Sequence, residues 1–141
     1  MTFPMLPSKD AGSRRDRTVL LVDDNDAVRR VMQEYLEMCG YTVVAAEGGS
    51  QALTIAEQWG EKIDALVADV MMPKMTGVEL AERLTTRLPQ LRVVFVSGFL
   101  GDALARTVQS MSAARLLIKP FGFTELVDEI ASLFGDGEVT P

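Results

Sequence analysis

Residues 63–77 read Ile63-Asp64-Ala65-Leu66-Val67-Ala68-Asp69-Val70-Met71-Met72-Pro73-Lys74-Met75-Thr76-Gly77. The run up to Asp69 is apolar enough for a buried strand, yet it delivers a carboxylate at its far end, followed by Met-Met-Pro and a turn. An ionised carboxylate does not enter a low-dielectric interior without a partner, so Asp69 either caps a local turn or stands in an open site. The flanking sequence decides between these.

Outward from this stretch the same alternation recurs. Val19-Leu20-Leu21-Val22 is a short apolar run ending in Asp23-Asp24, which suits a parallel strand covered on both faces. Val28, Val31, Met32, Tyr35 and Cys39 follow at helical spacing until Gly40. Tyr41–Ala46 reads as a second strand, Ser50–Trp59 as a helix and Ile63–Asp69 as a third strand. Thr76 and Glu79 form a Thr-x-x-Glu capping box opening a third helix, whose Val78, Leu80, Ala81, Leu84 and Leu88 run up to Pro89. Arg92–Ser97 is the fourth strand, 101–111 a weaker helix, Leu116–Ile118 the fifth strand and Phe123–Phe134 a last helix stopped by Gly135. Strands alternating with helices predict an α/β fold: a doubly wound, five-stranded parallel sheet with helices on both faces.

Composition sets the outer limits. With 141 residues, 48% of them hydrophobic and 24% charged, one folded unit is expected over 18–134, between a flexible lead-in at 1–17 and a short acidic tail at 135–141. No apolar run reaches the roughly 18 residues of a membrane helix, and the N-terminus carries no cleavable apolar segment, so a cytoplasmic protein without membrane insertion is expected. The single cysteine, Cys39, fits a reduced core position. The net charge is −6, and because the first 17 residues hold Lys9, Arg14, Arg15 and Arg17 against Asp10 and Asp16, the body is more acidic still. That balance argues against direct nucleic-acid binding, which needs basic side chains against phosphates; the basic lead-in reads as a solvated arm.

In open parallel sheets, ligands sit outside the carboxyl ends of the strands, where strand order reverses. Asp23 and Asp24, Asp69, Ser97-Gly98 and Lys119-Pro120 all fall at such ends. Taken singly, Asp23-Asp24 before a helix reads as an N-cap with an acidic first turn, and Ser97-Gly98 as turn chemistry. Together they place three carboxylates, a hydroxyl and an ammonium on one rim. Each carboxylate pair repels by about 4 kcal/mol at 4 Å in an effective dielectric near 20. A cation is therefore required among them. Oxygen donors suit Mg²⁺, while zinc lacks its usual ligands because the chain has no histidine and one distant cysteine. Asp69 beside such a metal can act as a nucleophile toward phosphorus, with Lys119, the Ser97 hydroxyl and the amide following Asp69 ready to serve the phosphoryl oxygens.

The motifs LLVDDND at 20–26, DVMMPKMTG at 69–77, FVSG at 95–98 and IKPF at 118–121 resemble those of the CheY-like receiver domains of two-component response regulators, over about residues 18–134. The run from FVSGF to IKPF is similar to receivers fused to hybrid sensor kinases. The resemblance implies a flavodoxin-like sheet of order 2-1-3-4-5, Asp69 as phosphoacceptor, Asp24 as a Mg²⁺ ligand, Asp23 as a ligand or water-bridged neighbour, and the Met71 carbonyl as a third protein ligand. It implies Ser97 as the switch hydroxyl, Lys119 as the phosphate-binding lysine and a cis Lys119–Pro120 bond. It also implies a phosphohistidine donor. A chain without histidine must find that donor elsewhere, in a histidine kinase, a phosphotransfer protein or a fused segment, and must signal through a downstream protein target. Homodimerisation through the fourth helix, fifth strand and last helix is a further family expectation. The chain would then be either a stand-alone receiver or the receiver portion of a hybrid kinase, and not an enzyme beyond its own phosphorylation and autodephosphorylation.

Some positions depart from the family. Leu116 stands where an aromatic switch residue is common, so signalling would rest on loop shifts. Met71 and Phe99 flank the position of the hydrolytic water and cannot orient it, which points to slow autodephosphorylation. Gly122 replaces a hydroxyl cap, so the loop after Lys119 is expected to be looser. An aspartate-nucleophile phosphatase of the haloacid dehalogenase type shares Asp69 and Mg²⁺ but needs a second aspartate at position 71. A receiver that no longer takes phosphate would have lost a key carboxylate or the lysine.

Overall fold

The computed structural model describes residues 17–98, 101–111 and 113–135; the lead-in before Arg17, Phe99 and the tail after Gly135 lie outside the described residues. Five parallel strands, β1 (Thr18–Val22), β2 (Thr42–Ala46), β3 (Ala65–Asp69), β4 (Arg92–Ser97) and β5 (Ala114–Ile118), form one sheet of order β2-β1-β3-β4-β5. The connecting helices are α1 (Asp26–Met38), α2 (Gly49–Trp59), α3 (Gly77–Arg87), α4 (Asp102–Ser110) and α5 (Phe123–Leu133). This is the doubly wound fold expected from the alternation of elements.

The period of two along each strand explains how the sheet is covered. Leu20 and Val22 of β1, Leu66 of β3 and Phe95 of β4 face one layer, packed by Ala52 and Ala56 of α2, Leu80 and Leu84 of α3 and Val108 of α4. Val19, Leu21, Val67 and Val94 face the other, packed by Met32 and Leu36 of α1 and Leu126 and Ile130 of α5. The three central strands, β1, β3 and β4, are buried on both faces, so they read as continuous apolar runs rather than alternating ones. Cys39 is buried in the second layer and takes part in no disulfide.

Two local expectations are corrected. The buried stripe of α1 is Met32, Leu36 and Cys39, while Val28 and Val31 are 36% and 47% exposed. Projected back one more turn, the buried stripe passes through Arg29, whose guanidinium turns inward and disguises the apolar face as charged. Strand β5 begins at Ala114, two residues earlier than expected, because exposed Arg115 interrupts the apolar run without interrupting the ladder. Gly40 ends α1 at φ 105°, a conformation favoured by glycine.

Register brings the chemistry-bearing ends together. Val22 pairs with Ala68, so Asp23 and Asp69, one residue further along, leave the sheet side by side. Asp69 pairs with Val96, and Ser97 with Ile118, which places Ser97 and then Lys119 next along the same rim. Beneath Asp69, the capping box forms as expected: Thr76 Oγ1 accepts from the Glu79 amide at 3.1 Å and Glu79 Oε1 from the Thr76 amide at 3.0 Å. Gly77 then passes against the strand end, its amide donating to the Val70 carbonyl at 3.0 Å. A Cβ at Gly77 would strike the Asp69 carbonyl oxygen and lie 3.0 Å from the carbonyl carbon. Gly77→Ala is therefore expected to cost about 1–3 kcal/mol, the usual penalty of overpacking against backbone, as checked by urea denaturation.

Candidate functional site

Each predicted side chain reaches the carboxyl rim, and the structure shows how each is held. Asp23 ends β1 with its amide donating to the Ala46 carbonyl at 3.2 Å, and its Oδ1 accepts from the Asn25 amide at 2.8 Å. The N-cap of α1 is Asn25, whose Oδ1 accepts from the Val28 amide at 3.0 Å. The capping role that Asp23-Asp24 could have filled is thus taken by the next residue, which leaves both carboxylates for other work. Asp23 is 1% exposed, Asp69 7% and Ser97 1%, while Asp24 is open to solvent.

Asp69 is gripped from two sides. Its Oδ1 accepts from the Met71 amide at 3.1 Å, and its Oδ2 lies 3.4 Å from Lys119 Nζ. The amide immediately after Asp69, expected from the sequence to serve a phosphoryl oxygen, is engaged elsewhere. Val70 N–H is committed to the Val96 carbonyl at 2.9 Å, continuing the ladder one residue past the strand, so the next amide turns back to the carboxylate. Met71 itself projects outward with 68% of its surface exposed, whereas Met72 is buried, so of the two only Met72 packs against the rim. The Lys119 amide donates to the Ser97 carbonyl at 2.8 Å, fastening the last two strand ends to each other, and the Lys119–Pro120 bond is cis, as the resemblance implied. No neighbour lies within 4 Å of a Cβ built at Gly98, which leaves open space beside Ser97.

The loop after Lys119 is capped despite Gly122. Glu125 Oε1 accepts from the Gly122 amide at 2.7 Å, supplying the reciprocal half of a capping box from N3.

The electrostatics single out Asp23. Burial pushes its carboxyl above the ordinary range, opposed by the Asn25 amide; Asp69 and Asp24 push further up and Lys119 pulls down. One carboxylate oxygen each from Asp23, Asp24 and Asp69 can be found within 4.8 Å of one another. Asp23 Oδ2 is buried without a hydrogen-bond partner. An acceptor-only oxygen left bare in the interior is costly unless something cationic satisfies it. Three oxygen donors with no imidazole or thiolate among them fit a hard divalent ion of the Mg²⁺ kind.

Sequence reasoning missed two residues here, Asn25 and Arg29. Arg29 Nη1 donates to the Asp23 carbonyl at 2.8 Å and Nη2 pairs with Asp26 Oδ1 at 2.7 Å. The i, i+3 spacing of Asp26 and Arg29 was the available signal; the longer reach to Asp23 had none.

The charge repulsion has a measurable consequence. Because the folded-state pKa of Asp23 is raised, its cost to the fold is absent below the unfolded value of 3.8 and sets in as pH rises through the folded value. Asp23→Asn is expected to raise the melting temperature of the magnesium-free protein at neutral pH, since it removes a charge that burial disfavours and that Asp69 and Asp24 repel. The gain should shrink as pH is lowered toward 4, and the stabilisation given by added Mg²⁺ should be largely lost; differential scanning calorimetry with and without Mg²⁺ reads both.

Comparison with known proteins gives a consistent result. The response regulator receiver domain family matches residues 19–131. The chain is 40% identical over 116 residues to the sensor kinase CckA of Brucella abortus, covering 82% of this chain but only 12% of that kinase. It is 34% identical over 117 residues to the response regulator receiver protein CpdR of the same organism, covering 83% of this chain and 96% of that protein. Among solved structures, the response regulator TrrA of Thermotoga maritima in complex with Mg²⁺-BeF superposes with a TM-score of 0.71 at 25% identity, over 83% of this chain and 98% of that one. With the carboxylate rim standing at the ends of a 2-1-3-4-5 parallel sheet, the chain belongs to the response regulator receiver domains of two-component signalling.

Proposed function

We propose that this receiver accepts a phosphoryl group on Asp69 from a phosphohistidine held by a histidine kinase or phosphotransfer protein, with Mg²⁺ bound by Asp23, Asp24, Asp69 and the Met71 carbonyl. The observation that carries the reading is the pairing of Asp69 Oδ2 with Lys119 beside the bare, buried Asp23 Oδ2. Support for the metal comes from the donor set and from TrrA, whose structure holds Mg²⁺-BeF.

In this mechanism a carboxylate oxygen of Asp69 attacks phosphorus as the P–N bond to the donor imidazole breaks, the nitrogen keeping the electron pair. When bound, Mg²⁺ supplies a fixed positive charge against the phosphoryl oxygens, lowering the cost of bringing two anionic groups together. Lys119 adds a second point charge from the opposite side. The rigid end of β3 holds Asp69 in place, so little of the attack geometry has to be found at the moment of reaction. Ser97 stands next on the rim and donates its hydroxyl to the acyl phosphate, drawing the loop after β4 toward the site. Leu116, half-buried against the α2–α4 layer, leaves that loop movement as the signal passed to a downstream protein.

The site also argues against an aspartate-nucleophile phosphatase, because the position that should carry its general acid is the outward, apolar Met71. A second reading places the domain within a hybrid sensor kinase, favoured by the 40% identity to CckA. The two readings share the chemistry and differ in whether donor and acceptor lie on one polypeptide; the reading frame around the coding sequence distinguishes them. Either way the receiver works in the cytoplasm, and among the described residues no helix is long and apolar enough to cross a membrane.

Incubated with acetyl phosphate and Mg²⁺, the protein is expected to gain the mass of one phosphoryl group, and Asp69→Asn to gain none; intact-mass spectrometry that finds equal labelling of both defeats the assignment. The acyl phosphate is expected to be long-lived, because the Met71 side chain offers no hydrogen bond to an attacking water. Met71→Asn should shorten its lifetime severalfold on phosphate-affinity gels, and a wild-type lifetime of seconds would contradict the reading.

A further inference from the structure

Arg29 is a cation whose side chain grips the backbone of the acidic loop. Its side chain is only 15% exposed, although it pairs with Asp26, which is 73% exposed. The inward half of the guanidinium donates to the Asp23 carbonyl at 2.8 Å. The Arg29 amide donates to the Asn25 carbonyl at 2.9 Å, so side chain and backbone of one residue close the loop between β1 and α1 from both ends.

Asp23 is thereby held at three points. Its amide is bonded to Ala46, its carbonyl to Arg29 and its Oδ1 to the Asn25 amide. Only Oδ2 remains, buried and unpartnered, within the carboxylate cluster. Removing the bond to the carbonyl frees the planar peptide unit between Asp23 and Asp24 to turn through the ψ of Asp23 and the φ of Asp24, and with it the directions in which the two carboxylates leave the chain.

We propose that Arg29 is a positioning residue for the metal site: through the Asp23 carbonyl it fixes the two acidic side chains at the end of β1 in the orientation that receives Mg²⁺. This rests on the reading of the rim as a Mg²⁺-dependent phosphoacceptor site. The sign of the effect separates positioning from simple electrostatics. As a nearby positive charge Arg29 opposes a divalent cation, so loss of charge alone would tighten Mg²⁺ binding. Loss of orientation weakens it, and removal of a group that orients metal ligands commonly costs about tenfold or more in affinity.

The test is Mg²⁺ titration by isothermal calorimetry of the wild-type protein, Arg29→Gln and Arg29→Lys, with acetyl phosphate labelling rates measured across Mg²⁺ concentrations. Arg29→Gln is expected to bind Mg²⁺ about tenfold more weakly. Arg29→Lys keeps the charge but can reach only one of the two acceptors, and should fall between. Labelling of both variants should return close to the wild-type rate at saturating Mg²⁺, which a merely structural defect would not allow. Equal or tighter Mg²⁺ binding by Arg29→Gln overturns the proposal while leaving the site reading intact. Should Arg29→Gln fail to fold, Arg29→Met, which keeps the packed stem but has no donor for the Asp23 carbonyl, is titrated in its place, and equal or tighter Mg²⁺ binding by it overturns the proposal equally. A wild-type protein that neither binds Mg²⁺ nor takes the phosphoryl group overturns the site reading, and this proposal with it.

Discussion

The carboxylates of Asp23, Asp24 and Asp69, crowded within 4.8 Å at the ends of two adjacent strands, are the constraint on which the rest of the molecule turns. Left alone they repel, and burial of Asp23 and Asp69 sharpens the repulsion by removing the water that would screen it. The scaffold answers with hydrogen bonds to particular oxygens. The Asn25 amide takes one oxygen of Asp23 and the Met71 amide one oxygen of Asp69, while Lys119 faces the other Asp69 oxygen. The remaining Asp23 oxygen is left bare, an acceptor that a cation among the three carboxylates would satisfy. Strain of this kind, held in place by a rigid surround, is what distinguishes a binding rim from an acidic surface.

Rigidity comes from backbone bonds that extend the sheet past its formal ends. Val70 N–H reaches the Val96 carbonyl and Lys119 N–H reaches the Ser97 carbonyl, so the residues bearing the chemistry are tied laterally to the next strand. Gly77 lets α3 start in contact with the Asp69 carbonyl, which no side-chain-bearing residue could do without shifting it. Away from the rim the anchoring is uneven. Helix α5 buries Leu126, Val127, Ile130 and Ala131, whereas α4 buries only Val108. With little apolar surface to hold it, α4 belongs to the low-stability end of the fold, where a displacement at the rim costs least to transmit.

Much of this was visible in the order of residues. The capping box at Thr76 and Glu79, the stop at Gly40 and the apolar runs of β1, β3 and β4 are local signals, each written within a few positions, and the observed elements follow them closely. The misreadings share a cause. In α1, Val28 and Val31 fit the helical period as well as Leu36 does, and only the strand and helix packed against α1 select the stripe through Met32 and Leu36. Arg29 was missed because nothing local shows that its guanidinium turns toward the Asp23 carbonyl. The Val70 amide, expected to face a phosphoryl oxygen, is committed to the Val96 carbonyl in another strand, a partner that nothing local shows.

The sequence by itself determined which residues stand at strand ends, which metals their side chains could favour, and that no histidine is present among these 141 residues. Those are matters of local periodicity, caps and residue chemistry. The tertiary structure alone decided that Asp23 keeps a bare oxygen while Asn25 takes the capping role, and that Arg29 closes the loop beneath it. Register and hydrogen-bond partners across strands depend on which distant segments pair, and no local pattern of side chains encodes that choice.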